Sequence, residues 1–131
     1  MILLDTHALI WFLTDPTQLS LLAITTIEQT LKTGKIMISS ISIWEICLLV
    51  QKKKVHFTQS LQQTLSTIYS MTELEFIPID NRIAELSQTL PGRFHKDPAD
   101  RFIVATALTT GATLITKDDK IRKYTHIKTL W

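Results

Sequence analysis

With Cys47 as its one cysteine, the chain has no means of closing an intrachain disulfide. A cysteine inside an apolar helical stretch reads as a small buried hydrophobe. Only three glycines and four prolines occur among 131 residues. That excludes a low-complexity chain and leaves no Gly/Ser-rich linker or domain boundary. No apolar run is long enough to span a bilayer, because the longest, 36–50, is broken by Ser39, Ser40, Ser42 and Glu45. No basic stretch precedes the apolar start of the chain, and Asp5 cuts that start short, so the expected location is the cytoplasm. The patterns G-x-x-x-x-G-K-[ST], G-x-G-x-x-G and G-x-S-x-G are all missing. His7, His56, His95 and His126 show no metal-ligand spacing. These absences argue against a P-loop NTPase, a dinucleotide enzyme, a serine hydrolase and a zinc site.

What is present is a globular composition, 45 % apolar, in one domain covering 1–131 with enough length for a real core. The alternation of short apolar runs with helical stretches sets the fold class. Strands are expected at Ile2–Leu4, Ile36–Ile38, Phe76–Ile79, Thr113–Ile115 and Ile127–Leu130. Helices are expected from His7 to Leu13, from Leu21 to Lys32 behind a Ser20 cap, from Ser42 to about Lys53, and from Thr58 to about Met71. Two more are expected behind caps at Asp80 and Asp97, the second with Pro98 at its first position and Gly111 at its end. Asp118–Lys123 reads as a loop or short helix. The pattern implies an α/β/α sandwich around a central, mostly parallel sheet of about four to five strands. The helix from Ser42 is apolar almost all round and is expected to be largely buried, with Trp44, like Trp11, in the core.

Within that scheme four acids gather at one edge of the sheet. Asp5 ends the first strand and Asp118 follows the Thr113–Ile115 strand. Asp100 lies in the first turn of the helix that Asp97 caps, and Glu45 is the only acid between Glu28 and Glu73. Acids at the carboxyl ends of parallel strands face the ligand crevice of an open α/β sheet. Carboxylates held together repel, and a hard divalent cation with oxygen ligands relieves them. That combination points to metal-dependent phosphoryl chemistry, a nuclease above all. Each acid also has a plain structural reading. Asp5, Asp97 and Asp118 suit helix caps or turns, and Ser42-x-x-Glu45 fits a capping box. Thr6 and Thr116 stand ready to hydrogen-bond within the site. The net charge of +2 leaves a clearly positive remainder once the clustered acids are set aside, which suits a polyanionic substrate. Lys96, Arg101 and Lys117 are the candidate phosphate contacts, with Lys120 and Arg122 behind them.

Four segments carry a resemblance: Ile2–Trp11, Ser39–Ile46, Asp97–Ala107 and Leu114–Asp118. In order and spacing they resemble the PIN-domain family, and within it the VapC-like toxins of bacterial type II toxin–antitoxin pairs. The likeness covers essentially the whole chain. It implies Mg²⁺- or Mn²⁺-dependent cleavage of RNA, with the family's four acids falling on Asp5, Glu45, Asp100 and Asp118, and Asp97 matching an acid of the subgroup. It further implies a homodimer and a cognate antitoxin that inserts a peptide near the acids, with an Arg or Lys among them. Two rival classes remain. One is another Mg²⁺-dependent phosphoryl-transfer or receiver domain, for which Asp80 after a strand and Lys117 are the available residues. The other is a non-catalytic α/β binding module whose acids only cap helices.

Overall fold

The computed structural model describes residues 1–131. Its strands are β1 (Ile2–Leu4), β2 (Ile36–Ser39), β3 (Leu74–Ile77), β4 (Thr113–Ile115) and β5 (Thr129–Leu130). Its helices are α1 (Thr6–Thr14), α2 (Leu21–Thr33), α3 (Ile41–Gln51), α4 (Leu61–Ser70), α5 (Asn81–Gln88), α6 (Pro98–Thr110) and α7 (Asp119–Arg122), with one 3-10 turn at Pro16–Gln18. All five strands pair in parallel, in the order β3-β2-β1-β4-β5. β1 is therefore central. The chain winds from β1 outward through β2 and β3, then crosses back to lay β4 on the other side of β1. The space between the carboxyl ends of β1 and β4 is the topological switch point, where open α/β sheets form their crevice.

The side-chain period of two along a strand divides the core into two layers. Ile2 and Leu4 of β1, with Ile36, Ile38 and Ile115, pack beneath α1, α2 and α4 through Leu9, Ile27, Ile68 and their neighbours. Leu3 and Leu114 face the other way, onto Ile83 of α5, Ile103 and Val104 of α6, and Ile121. α6 is the most heavily buried helix, as its apolar run from Phe102 to Leu108 predicts. Ile103 is 1 % exposed, so Ile103→Ala is expected to destabilise the fold by roughly 2–5 kcal/mol. Denaturant unfolding measures this directly, and a loss below about 1 kcal/mol would show that the layer repacks.

Element ends follow local chemistry. Ser20 caps α2 by accepting the Ala23 N–H at 3.0 Å, and Asp80 caps α5 by accepting the Ile83 N–H at 2.8 Å. Gly111 closes α6 at φ 72°, a left-handed conformation that glycine adopts without a Cβ penalty. α4 begins later than Thr58, because Ser60 and Gln63 form a complete capping box there. β3 runs two residues earlier than the apolar run Phe76–Ile79. Its register places Leu74 beside Ile36, and Pro78, with no N–H to donate, follows its last residue.

Three burial expectations fail on α3. The helix is not enclosed, since only Ser42 and Ile46 of it are buried. Trp44 is 51 % exposed and Cys47 is half-buried. An apolar helix packed on the rim of a sheet presents one side outward whatever its composition. No helix is long and apolar enough to cross a membrane.

Candidate active site

At the switch point lies a cleft of about 390 Å³. Asp5, Thr6, Glu45, Asp97, Asp100 and Asp118 line it, together with His7, Trp11 and Lys117. All five acids singled out from the sequence thus meet in one place, although their elements lie up to a whole chain apart.

Each is held by its backbone. Asp5 leaves β1 and caps α1, its Oδ1 accepting the Ala8 N–H at 2.8 Å. Asp97 caps α6, its Oδ1 accepting the Asp100 N–H at 3.1 Å. Asp118 caps α7, its Oδ1 accepting the Lys120 N–H at 2.8 Å. The capping reading is therefore correct for these three, and it does not compete with a functional one. A cap fixes a carboxylate at the positive end of a helix, and here three helix starts converge on one cleft. Asp80 also caps its helix but does not line the cleft, which removes the residue on which a receiver-type reading depended.

Glu45 differs. The capping box expected from Ser42 and Glu45 does not form, because α3 starts at Ile41 behind Ser40 with no side-chain cap. Ser42 is instead a buried residue of the first turn, and its Oγ accepts from the Thr6 hydroxyl at 2.9 Å. That bond ties α3 to the start of α1. It leaves the Glu45 carboxylate to the cleft.

Thr116 connects the two strand-end acids. It is fully buried, its hydroxyl donates to Asp5 Oδ2, and the same oxygen accepts the Asp118 N–H at 3.1 Å. Orienting groups of this kind around a ligand set are worth about 10–100-fold in affinity or activity. Thr116→Val keeps the shape and removes both bonds. It is expected to weaken Mn²⁺ binding by about 10-fold or more, with Thr116→Ser restoring it. Titration calorimetry on the two variants separates that outcome from a purely structural role, in which neither would change Mn²⁺ affinity.

The cleft is electrostatically strained. Burial raises the Asp5 carboxyl above its usual range, Thr116 and the Ala8 N–H oppose that, and Glu45 adds to it. Asp100 is raised to about 7, first by desolvation and then by the charges of Asp97, Asp118, Glu45 and Asp5. All four other acids therefore act on Asp100, as a shared site requires.

The basic residues divide. Lys117 lines the cleft with its Nζ 5.8 Å from the centre of the Trp11 ring, a cation–π contact. Arg101, the second candidate phosphate contact, lies outside the cleft lining and is engaged by the backbone. Its Nε donates to the Ser87 carbonyl at 2.7 Å and its Nη1 to the Phe94 and His95 carbonyls at 3.1 Å, so its guanidinium braces the loop ahead of α6. Lys96 is exposed beside Asp97 and lies outside the cleft lining. Trp11, a core residue by its sequence context, is only half-buried. Its ring packs at a tilt against those of His7 and Trp131, at 5.7 and 5.8 Å, and it lines the cleft. His95, beyond the carboxylates, places Nε2 at 3.1 Å from Asp100 Oδ2. The contact is a close approach rather than an aligned hydrogen bond, since this buried nitrogen makes none. The sequence signal for it is its place two residues before Asp97.

Donor chemistry decides what such a cleft can hold. Five carboxylates and no thiolate suit a hard cation such as Mg²⁺ or Mn²⁺ and not a soft one. Asp97 and Asp118 each direct one oxygen to a cap and keep the other, and Glu45 caps nothing. No three of these side chains stand close enough together to hold an ion as they are placed. The fit is thus one of ligand type and charge.

Comparison with known proteins gives the family. The PIN-domain family profile matches residues 2–127. Ribonuclease VapC22 of Mycobacterium tuberculosis (strain ATCC 25618 / H37Rv) is 32 % identical over 133 aligned residues, covering 99 % of this chain and 98 % of that one. Among solved structures, a toxin–antitoxin complex from Klebsiella pneumoniae superposes with a TM-score of 0.70 at 22 % identity, covering 100 % and 97 % of the two chains. VapBC2 from Rickettsia felis, bound to a DNA fragment from its promoter, gives 0.67 at 22 % identity over 99 % and 98 %. With the fold and a match over nearly its whole length in agreement, the chain belongs to the PIN-domain family, on its VapC-like branch.

Proposed function

We propose that this protein is a divalent-metal-dependent endoribonuclease, the toxin of a toxin–antitoxin pair acting in the cytoplasm. The observation that carries the reading is the convergence of five carboxylates on one cleft at the switch point, where burial first and the charges of the other four acids second raise Asp100 to about 7. Support also comes from a relative named as a ribonuclease at 32 % identity.

Asp5, Asp100 and Asp118 would hold Mg²⁺ or Mn²⁺, with Glu45 completing the set directly or through water. When bound, the ion supplies Lewis acidity toward a phosphodiester and lowers the pKa of water. The chain's own residues do the rest. Thr116 fixes the Asp5 oxygen and the turn carrying Asp118. Asp97 holds the first turn of α6 and so sets where Asp100 sits. A carboxylate of the cleft positions the attacking water and takes its proton, and a carboxyl raised toward neutrality is suited to that exchange. Lys117 at the rim meets the polyanionic backbone.

A free ribonuclease would damage the cell that makes it, so a restraining partner belongs to the reading. The partners are a cognate antitoxin and a second copy of the chain. Leu21, Leu22 and Trp44 are large apolar side chains left exposed, as surfaces awaiting such partners are. An antitoxin Arg or Lys among the carboxylates would neutralise the charge that otherwise takes up the cation. Metal-dependent cleavage of RNA by the partner-free protein, abolished by chelator, is the test. The non-catalytic alternative predicts neither cleavage nor any response of the fold to Mn²⁺.

A further inference from the structure

A second pocket, of about 320 Å³, adjoins the acid cleft through the contact of His95 with Asp100. Arg93, Lys120, Lys123 and His126 line it with the rings of Phe94 and Tyr124, and no carboxylate does. His95 also lines it, and that side chain reaches Asp100 at 3.1 Å on its other side. Lys120 lies on α7, the helix that Asp118 caps. The two pockets therefore differ sharply in charge and meet at His95 and the first turn of α7.

The second pocket is built, and not merely a patch of lysines. Phe94 and Tyr124 pack edge-on at 5.1 Å, and Tyr124 and His126 lie 5.2 Å apart. The buried Tyr124 hydroxyl donates to the Pro91 carbonyl, which fixes the ring. Gly92 is at φ 69°, and a Cβ there would come within 3.0 Å of His126 Nε2. Glycine at that position gives the His126 ring its place.

We propose that this pocket binds a nucleotide of single-stranded RNA next to the scissile phosphate, an inference that rests on the nuclease reading of the neighbouring cleft. Lysine and arginine meet the backbone phosphate, and the exposed His126 ring, tilted against Tyr124, offers a face on which an unpaired base stacks. An acidic peptide would use the cations alone. The aromatic wall and a concave volume of base size favour a nucleotide.

The test is fluorescence anisotropy with a short, mixed-sequence, single-stranded oligoribonucleotide, on full-length protein in EDTA carrying Asp5→Asn. Arg93→Ala with Lys123→Ala is expected to raise Kd about tenfold and to flatten the dependence of log K on log salt by about 0.7 for each phosphate that is no longer neutralised. His126→Ala is expected to raise Kd about tenfold through weaker stacking with the salt slope unchanged. All three residues are exposed, so the fold is not at risk. Unchanged Kd and slope in both variants overturn the pocket, even where the parent cleaves RNA and the nuclease stands. Variants that bind RNA normally but lose antitoxin overturn it too, in favour of a protein-binding role. If the parent cleaves no RNA, the nuclease reading fails separately, and the anisotropy alone then decides the pocket.

Discussion

Asp5→Asn protein is expected to lose metal-dependent RNA cleavage by a factor on the order of a hundred or more while keeping its fold. The two halves of that result have separate causes. Asparagine caps a helix as well as aspartate does, so the bond from Ala8 survives. The amide also keeps an oxygen acceptor, although it cannot serve Ala8 and Thr116 as two carboxylate oxygens do. What disappears is the negative charge, and that charge is buried and strained. Removing it should leave the melting temperature of the metal-free protein no lower than the parent's. Asp100→Asn should behave alike, since burial and then the charges of the other four acids disfavour its ionised carboxylate. Asp15 is a useful control. It lies outside the cleft and accepts from Thr17 and Gln18, and Asp15→Asn should cleave at the parental rate. A destabilised, inactive Asp5→Asn protein would instead mean that Asp5 is structural only.

The second large effect is on stability, and its sign follows from Asp100. Its carboxyl is raised to about 7 from an ordinary 3.8. The fold thus disfavours the ionised form. Below about pH 4 the group is protonated in both folded and unfolded chains, and there is no penalty. Between about 4 and 7 the unfolded chain ionises first and the penalty grows, and above 7 it is fully present. Metal-free protein should therefore melt lower as the pH rises through this window, and Asp100→Asn should flatten the trend. A divalent cation reverses the logic, because it binds the ionised carboxylates. Above pH 7, Mn²⁺ at a hundredfold excess over its Kd should add about 2.7 kcal/mol to the stability of the parent. That is roughly ten degrees of melting temperature for a domain of this size. The shift should shrink toward pH 5 and should be largely absent in Asp5→Asn and Asp100→Asn. Melts by calorimetry across pH, with Mn²⁺ and with EDTA, check all of this in one series. Equal shifts in parent and variants would place the ion elsewhere.

Much of the site is legible without the fold, for a definite reason. Asp5, Asp97 and Asp118 stand at transitions between strand, loop and helix, and such transitions are written in short-range chemistry: an apolar run, then an acid, then a helix start. A parallel sheet brings the carboxyl ends of its strands to one edge, so residues marked locally become neighbours globally. The failures concern what is not local. Ser42 and Glu45 match a capping box by spacing, but Ser42 is engaged by Thr6, 36 residues away. Trp44 lies on a helix with apolar residues on every side, so no polar face tells which way it points. Arg101 looks available for phosphate and is held by three carbonyls from the preceding loop and α5. The β3 boundary depends on register against β2, which hydrophobicity alone does not specify. The basic pocket joins 93–95 to 120–126, segments with no common motif.

The most direct test of the central claim is to incubate purified, partner-free protein with total cellular RNA in Mg²⁺, in Mn²⁺ and in EDTA, with Asp5→Asn alongside. The account predicts discrete fragments from the parent in either ion, none in EDTA and none from the variant, with the fragment ends naming the target. Cleavage that persists in EDTA or in Asp5→Asn, or no cleavage together with no Mn²⁺ effect on melting, would contradict it.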